Sequence, residues 1–143
     1  MQIIEAINYK AGIVSLLIDE KLPVSDLPES LENFLVALQG NDVIGVAGLE
    51  IYGDYGLLRS LAVNPVFRSQ GIAGKLLSEI EALAISKGLG TMYLLTETAP
   101  DYFDRKGYIK TTREDVPVEV RQSSEFSYVC PQSAIVMKKT LTK

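Results

Sequence analysis

An α/β domain built on a mixed β-sheet is what this sequence predicts, and three observations predict it. Residues 57–96 read strand, helix, strand, the pattern of a β-α-β crossover. The helix of that unit carries apolar residues at Ile72, Leu76, Leu77, Ile80, Leu83 and Ala84, with Glu79, Glu81 and Lys87 falling between them. That is the stripe of a helix buried on one side. Two apolar runs of strand length, Phe34–Leu38 and Val43–Tyr52, precede the unit and are separated by turn residues.

The other elements follow in order. Residues 2–6 form a short, largely apolar run that suits a strand. Between Tyr9 and Glu20, Ile13, Leu16 and Leu17, with Ile18 beside them, suit one helix face. Lys21-Leu22-Pro23-Val24-Ser25-Asp26-Leu27-Pro28 breaks that helix, and Ser25 and Asp26 are candidate caps for a further helical turn. Gly40-Asn41-Asp42 reads as a turn, and Gly53-Asp54 as a two-residue hairpin connection with glycine first. Leu57–Val63 is then the third strand of a meander, ended by Asn64-Pro65. After the amphipathic helix, Gly88 and Gly90 supply the stop. Met92–Thr96 is a strand, and Pro100 opens a short helix over Asp101–Arg105. Gly107 ends it and Tyr108–Thr112 starts another strand. Residues 113–131 are polar, with a helical turn near Glu119–Gln122, and Ala134–Lys138 is the last strand. No internal repeat or linker interrupts the chain, so residues 1–143 read as a single domain.

Composition narrows the function. The chain has 143 residues, 47% of them hydrophobic, enough for an ordinary core. No apolar run approaches the roughly 20 residues of a membrane span, and the N-terminus lacks the pattern of a signal peptide. A single cysteine, Cys130, rules out an internal disulfide, and a cytoplasmic location follows. The net charge is −4 and no Lys/Arg stripe is present, which argues against a nucleic-acid partner. Histidine is absent, so Ser-His-Asp and Cys-His catalysis are excluded, as is the commonest zinc ligand; no metal is expected. Any general base must be a carboxylate, a tyrosine, a thiolate or a water chain. Cys130 itself suits a small buried apolar residue, since nothing is available to activate it.

The segment richest in chemistry is Arg68-Ser69-Gln70-Gly71-Ile72-Ala73-Gly74-Lys75, between a strand and the strongest helix. A helix start presents unpaired N–H groups and the positive end of the dipole, a ready place for a pyrophosphate. Gly71, Ala73 and Gly74 leave that backbone uncovered, and Arg68 adds a charged donor at the rim. The Walker A pattern fails because Leu76 follows Gly74-Lys75 and Ser69 stands at the first glycine position; the dinucleotide Gly-x-Gly-x-x-Gly pattern is absent. The competing explanation is that the two glycines only allow close helix–strand packing.

Arg68-x-x-Gly71-x-Ala73 resembles the Arg/Gln-x-x-Gly-x-Gly/Ala motif of the GNAT N-acetyltransferase superfamily. Leu61-Ala62-Val63-Asn64-Pro65 resembles that family's preceding strand, and Phe103-Asp104-Arg105-Lys106-Gly107-Tyr108 its Tyr-Glu-Lys-x-Gly-Phe segment. The resemblance implies a GNAT fold: a central mixed, mostly antiparallel, splayed sheet of about six to seven strands flanked by helices. It implies acetyl-CoA as cosubstrate, with the pyrophosphate on the amides of Gln70, Gly71, Ile72, Ala73 and Gly74, and with Arg68, Ser69 and Lys75 alongside. The pantetheine arm is expected along Leu61, Ala62 and Val63, near Thr96 and Phe103, with a backbone N–H near Val63 polarising the thioester. The acceptor is then a small-molecule amine. A non-catalytic acetyl-CoA sensor and a protein or peptide N-acetyltransferase are the alternatives, and a homodimer is compatible with the family.

Direct transfer needs a base for the amine and an acid for the CoA thiolate. The family's tyrosine acid falls on Phe103, which leaves Tyr102 beside it and Tyr108 as candidates. Glu97, just past a strand, and Glu50 are the candidate bases; Glu97 also fits a solvated loop carboxylate. Arg59 interrupts an apolar strand and needs a partner. Either Glu50, diagonal to it across the hairpin, forms a structural ion pair with it, or Arg59 and Glu50 face the acceptor.

Further segments resemble the arsenic-resistance-associated branch of the superfamily: Leu22-Pro23-x-x-Asp26-Leu27, Leu57-Leu58-Arg59-Ser60, Tyr93-Leu94-Leu95-Thr96, Thr98-Ala99 with Tyr102-Phe103, and Glu125-Phe126 with Cys130-Pro131-x-Ser133-Ala134. That likeness implies a detoxifying role, the acetylation of a toxic amino acid such as an arsenic- or phosphorus-containing glutamate mimic.

Overall fold

The computed structural model describes residues 1–22, 24, 25, 27, 28, 30–123 and 134–141. Its elements are β1 (Gln2–Glu5), α1 (Lys10–Asp19), β2 (Phe34–Gln39), β3 (Asp42–Tyr52), β4 (Tyr55–Val63), α2 (Ile72–Ser86), β5 (Thr91–Thr96), α3 (Pro100–Arg105), β6 (Ile109–Thr111), α4 (Val118–Arg121) and β7 (Ile135–Thr140). Single 3-10 turns lie at Pro65–Phe67 and Arg113–Asp115. The strand order is β1-β2-β3-β4-β5-β7-β6. The β4–β5 pair is parallel, as the crossover through α2 requires, while β1–β2, β2–β3, β5–β7 and β6–β7 are antiparallel. The mixed, mostly antiparallel sheet expected from the sequence is therefore present.

The chain divides into two compact units, Met1–Leu49 with Ser60–Leu83, and Glu50–Arg59 with Ala84–Lys143. In the first, Ile13, Leu16 and Leu17 of α1 pack with Phe34, Val36 and Leu38 of β2, Val46 of β3 and Ala62 of β4. Ile13, Leu16 and Leu17 are thus the face α1 buries, while Ile18, added to that stripe from the sequence, is 58% exposed. Ile44–Leu49 of β3 is buried at every residue, which explains why this strand reads as a continuous apolar run and not an alternating one. Phe34 sits directly opposite Gly48 in the β2–β3 ladder. A Cβ at Gly48 would lie 2.5 Å from Cε2 of that ring. Gly48→Ala is therefore expected to cost about 2 kcal/mol by overpacking, read as a lower urea midpoint with an unchanged slope.

In the second unit, Leu57, Tyr93, Val116, Val120 and Val136 form the core. Gly53, at φ 62, begins the β3–β4 turn in the place the sequence assigns to it. Two of the helices that end here, α2 and α3, stop in the same way: Leu89 N–H donates to Ala84 O and Tyr108 N–H to Phe103 O, each at 3.0 Å, across Gly88 and Gly107. The β4–β5 ladder covers Tyr55–Leu57 and Thr91–Tyr93, so pairing ends while both strands continue.

One expectation is corrected. Among the described residues of 22–33 there is no helix; Leu27 N–H donates to Val24 O at 3.3 Å in a turn. Pro28 explains this, because it disfavours the helical region for Leu27 and carries no N–H of its own. The turn expected near Glu119–Gln122 begins one residue earlier, as α4. Asp26, Glu125-Phe126, Cys130 and Pro131 lie outside the described residues.

Candidate active site

In the first unit, β4 ends in a tightly wound corner. Asn64 N–H donates to Ile44 O at 2.8 Å, and its Oδ1 accepts from Val66 N–H at 3.0 Å. The 3-10 turn that follows is capped by this side chain, and it delivers the chain to Arg68 in an extended conformation. Ser69 (φ 67) and Gly71 (φ 77) are then both left-handed, and α2 begins at Ile72. Lys75 N–H donates to Gly71 O at 3.1 Å. The amides of Ile72, Ala73 and Gly74 precede that bond and are the unsatisfied donors of a helix start. Ile72, buried at 3%, anchors the start, while Arg68, Ser69, Gln70, Gly71 and Lys75 are exposed. Leu61 is half-buried, and Ala62 and Val63 are buried. Arg68 Nη2 forms an ion pair with Glu20 Oε1, a contact the sequence does not signal.

In the second unit, Arg59, Glu50 and Tyr52 form a chain of polar contacts. Arg59 Nη1 donates to Glu50 Oε2 at 3.0 Å, and the Tyr52 hydroxyl donates to Glu50 Oε1 at 2.7 Å. The Arg59 side chain has 0% exposure and that of Glu50 17%, so the pair is partly dry. Of the two roles open to Arg59, the ion pair with Glu50 is the one observed. Burial first, then the bond to Glu50 and its charge, push Tyr52 well above the ordinary 10.0, with Arg59 opposing. Ser123 lies close enough to Tyr52 to oppose that rise as well, yet its buried Oγ makes no hydrogen bond of full geometry among the described residues. Tyr52 and Ser123 are members of this cluster that sequence reasoning missed; Tyr52 could have been found from its i+2 spacing to Glu50 on one strand face.

Beyond β5, Glu97 is exposed. Thr96 is buried, and its Oγ1 accepts from Ala99 N–H at 3.1 Å, leaving its own O–H to donate. Phe103 is buried, edge-to-face with Tyr102 at 5.3 Å and with Tyr108 at 5.7 Å. Tyr108 is fully buried. The Tyr102 hydroxyl is buried and has no hydrogen-bond partner among the described residues. Burial raises its pKa above 10.0, with Arg105 opposing. In β4 the structure adds a feature the sequence does not announce: Ser60 is left-handed at φ 60 inside a strand, which breaks the alternation of side chains there.

The acetyltransferase (GNAT) domain family matches residues 30–110, more than half of the chain. The chain belongs to this family. Among its relatives, an uncharacterised N-acetyltransferase of Chlorobaculum tepidum is 30% identical over 126 residues, covering 85% of this chain and 79% of that protein. The amino-acid acetyltransferase of Ectopseudomonas mendocina is 33% identical over 93 residues, 64% of this chain. This GNAT chain matches only 22% of the length of that enzyme. Among solved structures, N-acetylglutamate synthase from Neisseria gonorrhoeae, complexed with coenzyme A and N-acetyl-glutamate, superimposes with a TM-score of 0.82 at 18% identity over 99% of this chain and 35% of that one. The GNAT fold is thus shared across the whole chain. No helix among the described residues is long and apolar enough to cross a membrane.

Proposed function

We propose that residues 1–143 act as one acetyltransferase domain that transfers the acetyl group of acetyl-CoA to the amino group of a small amino acid. The observation that carries the reading is the segment from Arg68 to Gly74, left-handed at Ser69 and Gly71 and opening into the first turn of α2. Its uncovered amides suit the CoA pyrophosphate, with Arg68 and Lys75 at the rim. The pantetheine lies along Leu61, Ala62 and Val63 of the first unit. Similarity to amino-acid acetyltransferases, and to a synthase solved with N-acetyl-glutamate, supports an amino-acid acceptor.

The acceptor amine is protonated at neutral pH and must first lose a proton. Glu97, exposed beside β5, takes it directly or through water. The amine nitrogen attacks the thioester carbonyl carbon, and a backbone N–H near Val63 donates to the developing oxyanion. The C–S bond then breaks, Tyr102 protonates the departing thiolate in place of the tyrosine the family has at Phe103, and the nitrogen's second proton leaves to solvent, from which the Tyr102 phenolate is reprotonated. Glu50, held by Arg59 on one oxygen and by Tyr52 on the other, receives the acceptor's amino group on its remaining lone pairs and is the alternative base. The finer acceptor, a toxic arsenic- or phosphorus-containing glutamate mimic, rests on the sequence segments shared with the arsenic-resistance-associated branch. A cytoplasmic location and a homodimer complete the proposal.

Gly71 tests the loop. A Cβ there meets nothing within 4 Å, so only its backbone conformation, φ 77, resists substitution. Gly71→Val is expected to cost roughly 1–2 kcal/mol of stability and to weaken CoA binding about tenfold or more by refolding the loop, measured by calorimetric titration.

The reading as a whole is tested by thiol release from acetyl-CoA over a panel of amino acids, glutamate analogues, polyamines and peptides. Release that depends on an amino acid supports it. Tight CoA binding without turnover on any acceptor would replace it with a sensing module, and release only with peptides would replace it with a peptide acetyltransferase.

A further inference from the structure

Arg68, the cation at the rim of the proposed phosphate site, is held by a residue from a different part of the first unit. Glu20 follows α1; its backbone N–H donates to Leu16 O and that of Lys21 to Ile18 O, each at 3.0 Å, so its position is set by the end of that helix. The helix is fixed in turn by Ile13, Leu16 and Leu17, which are buried in the core of the unit. The two members of the pair differ in exposure: the Arg68 side chain is 57% exposed and that of Glu20 only 14%. Glu20 is therefore the anchored member and Arg68 the one that would otherwise roam.

We infer that Glu20 is a positioning residue that orients the Arg68 guanidinium for the phosphate oxygens of CoA. The inference rests on the CoA-loop reading above. The contact uses Nη2 of Arg68, and a guanidinium has five N–H donors, so others remain for an oxyanion. A long side chain such as arginine loses much rotamer freedom when it grips a ligand. Glu20 removes that freedom in advance, so less is lost on binding. Its negative charge opposes phosphate only weakly, because it is offset by the guanidinium that stands between them and the pair is internally neutral.

The test is a set of binding titrations with CoA and with S-acetyl-pantetheine, which lacks the phosphates, on the full chain and on Glu20→Gln, Arg68→Ala and the double variant. Glu20→Gln is expected to weaken CoA binding about threefold to fivefold, the range an exposed ion pair can supply. It should leave S-acetyl-pantetheine unchanged and add nothing in the Arg68→Ala background. Equal or tighter CoA binding by Glu20→Gln, with Arg68→Ala still weakened, overturns the inference and leaves the loop reading intact. Equal losses for CoA and S-acetyl-pantetheine also overturn it, since they signal a structural role. If Arg68→Ala itself binds CoA normally, the loop reading fails first, and the inference with it.

Discussion

Replacing Arg59 by methionine is expected to destabilise the protein by about 3 kcal/mol, at the lower end of the cost of breaking a buried ion pair. The side chain has no exposed surface, and its removal leaves the Glu50 carboxylate, only 17% exposed, without its cation. Desolvation of Glu50 is partial and the Tyr52 hydroxyl still donates to it, which keeps the loss near that lower end. A chain of this length should lose roughly 10 °C in Tm. The double replacement Arg59→Met with Glu50→Leu should recover most of the loss, because no charge then remains buried without a partner. Thermal unfolding of Arg59→Met, Glu50→Leu and the double replacement measures the coupling directly. If Arg59→Met is as stable as the parent, Arg59 is available to a ligand and does not serve to hold Glu50.

Tyr102→Phe is the second large effect, and it should appear in catalysis without appearing in stability. The hydroxyl is buried and has no partner among the described residues, so deleting it removes a desolvated polar group and leaves stability equal or slightly higher. As the proposed proton donor to the CoA thiolate, its loss should lower kcat about 10- to 100-fold, below the usual range for an acid because a thiolate leaves tolerably unaided. The KM for acetyl-CoA should hold. Local misfolding would instead disturb Phe103 and Lys106, which pack on the Tyr102 ring, and would show as a lower Tm.

The pH dependence has a definite sign. Burial raises Tyr102 and Tyr93 above 10.0, and burial with the Glu50 contact raises Tyr52 further. Below pH 10 these phenols are neutral in both the folded and the unfolded chain and leave stability unchanged. Above it the unfolded chain ionises first, so stability falls as pH rises through the folded values. The acid role of Tyr102 should likewise persist past pH 10, with the alkaline limb of kcat displaced upward in the parent and absent in Tyr102→Phe.

Much of this was legible in the sequence because it depends on local pattern. The stripes of α1 and α2, the glycine stops at Gly88 and Gly107, the hairpin at Gly53-Asp54 and the loop from Arg68 all follow from residues within a few positions of one another. The Arg59–Glu50 pair was legible too, since a hairpin turn fixes which residues face each other. The missed features need the tertiary fold. Glu20 and Arg68 are 48 positions apart and meet only once α1 packs on its sheet. Ser123 comes near Tyr52 through α4, an element of four residues with little pattern of its own. The left-handed Ser60 carries no signal because serine is common in strands and loops alike; only the break in the apolar run at Arg59-Ser60 marks the place. Among the described residues after Ser25, Leu27 closes a turn on Val24 in place of the expected helical turn, because a proline close by outweighs a capping signal.

The central claim is chemical, that an acetyl group passes from acetyl-CoA to the amino group of an amino acid. The most direct measurement is mass spectrometry of the acceptor after incubation with isotope-labelled acetyl-CoA and the protein. The account predicts an amino acid heavier by one labelled acetyl group, with the label on nitrogen and with formation abolished when the protein is omitted. CoA release with no labelled amino acid, or label recovered only on protein side chains, would contradict it.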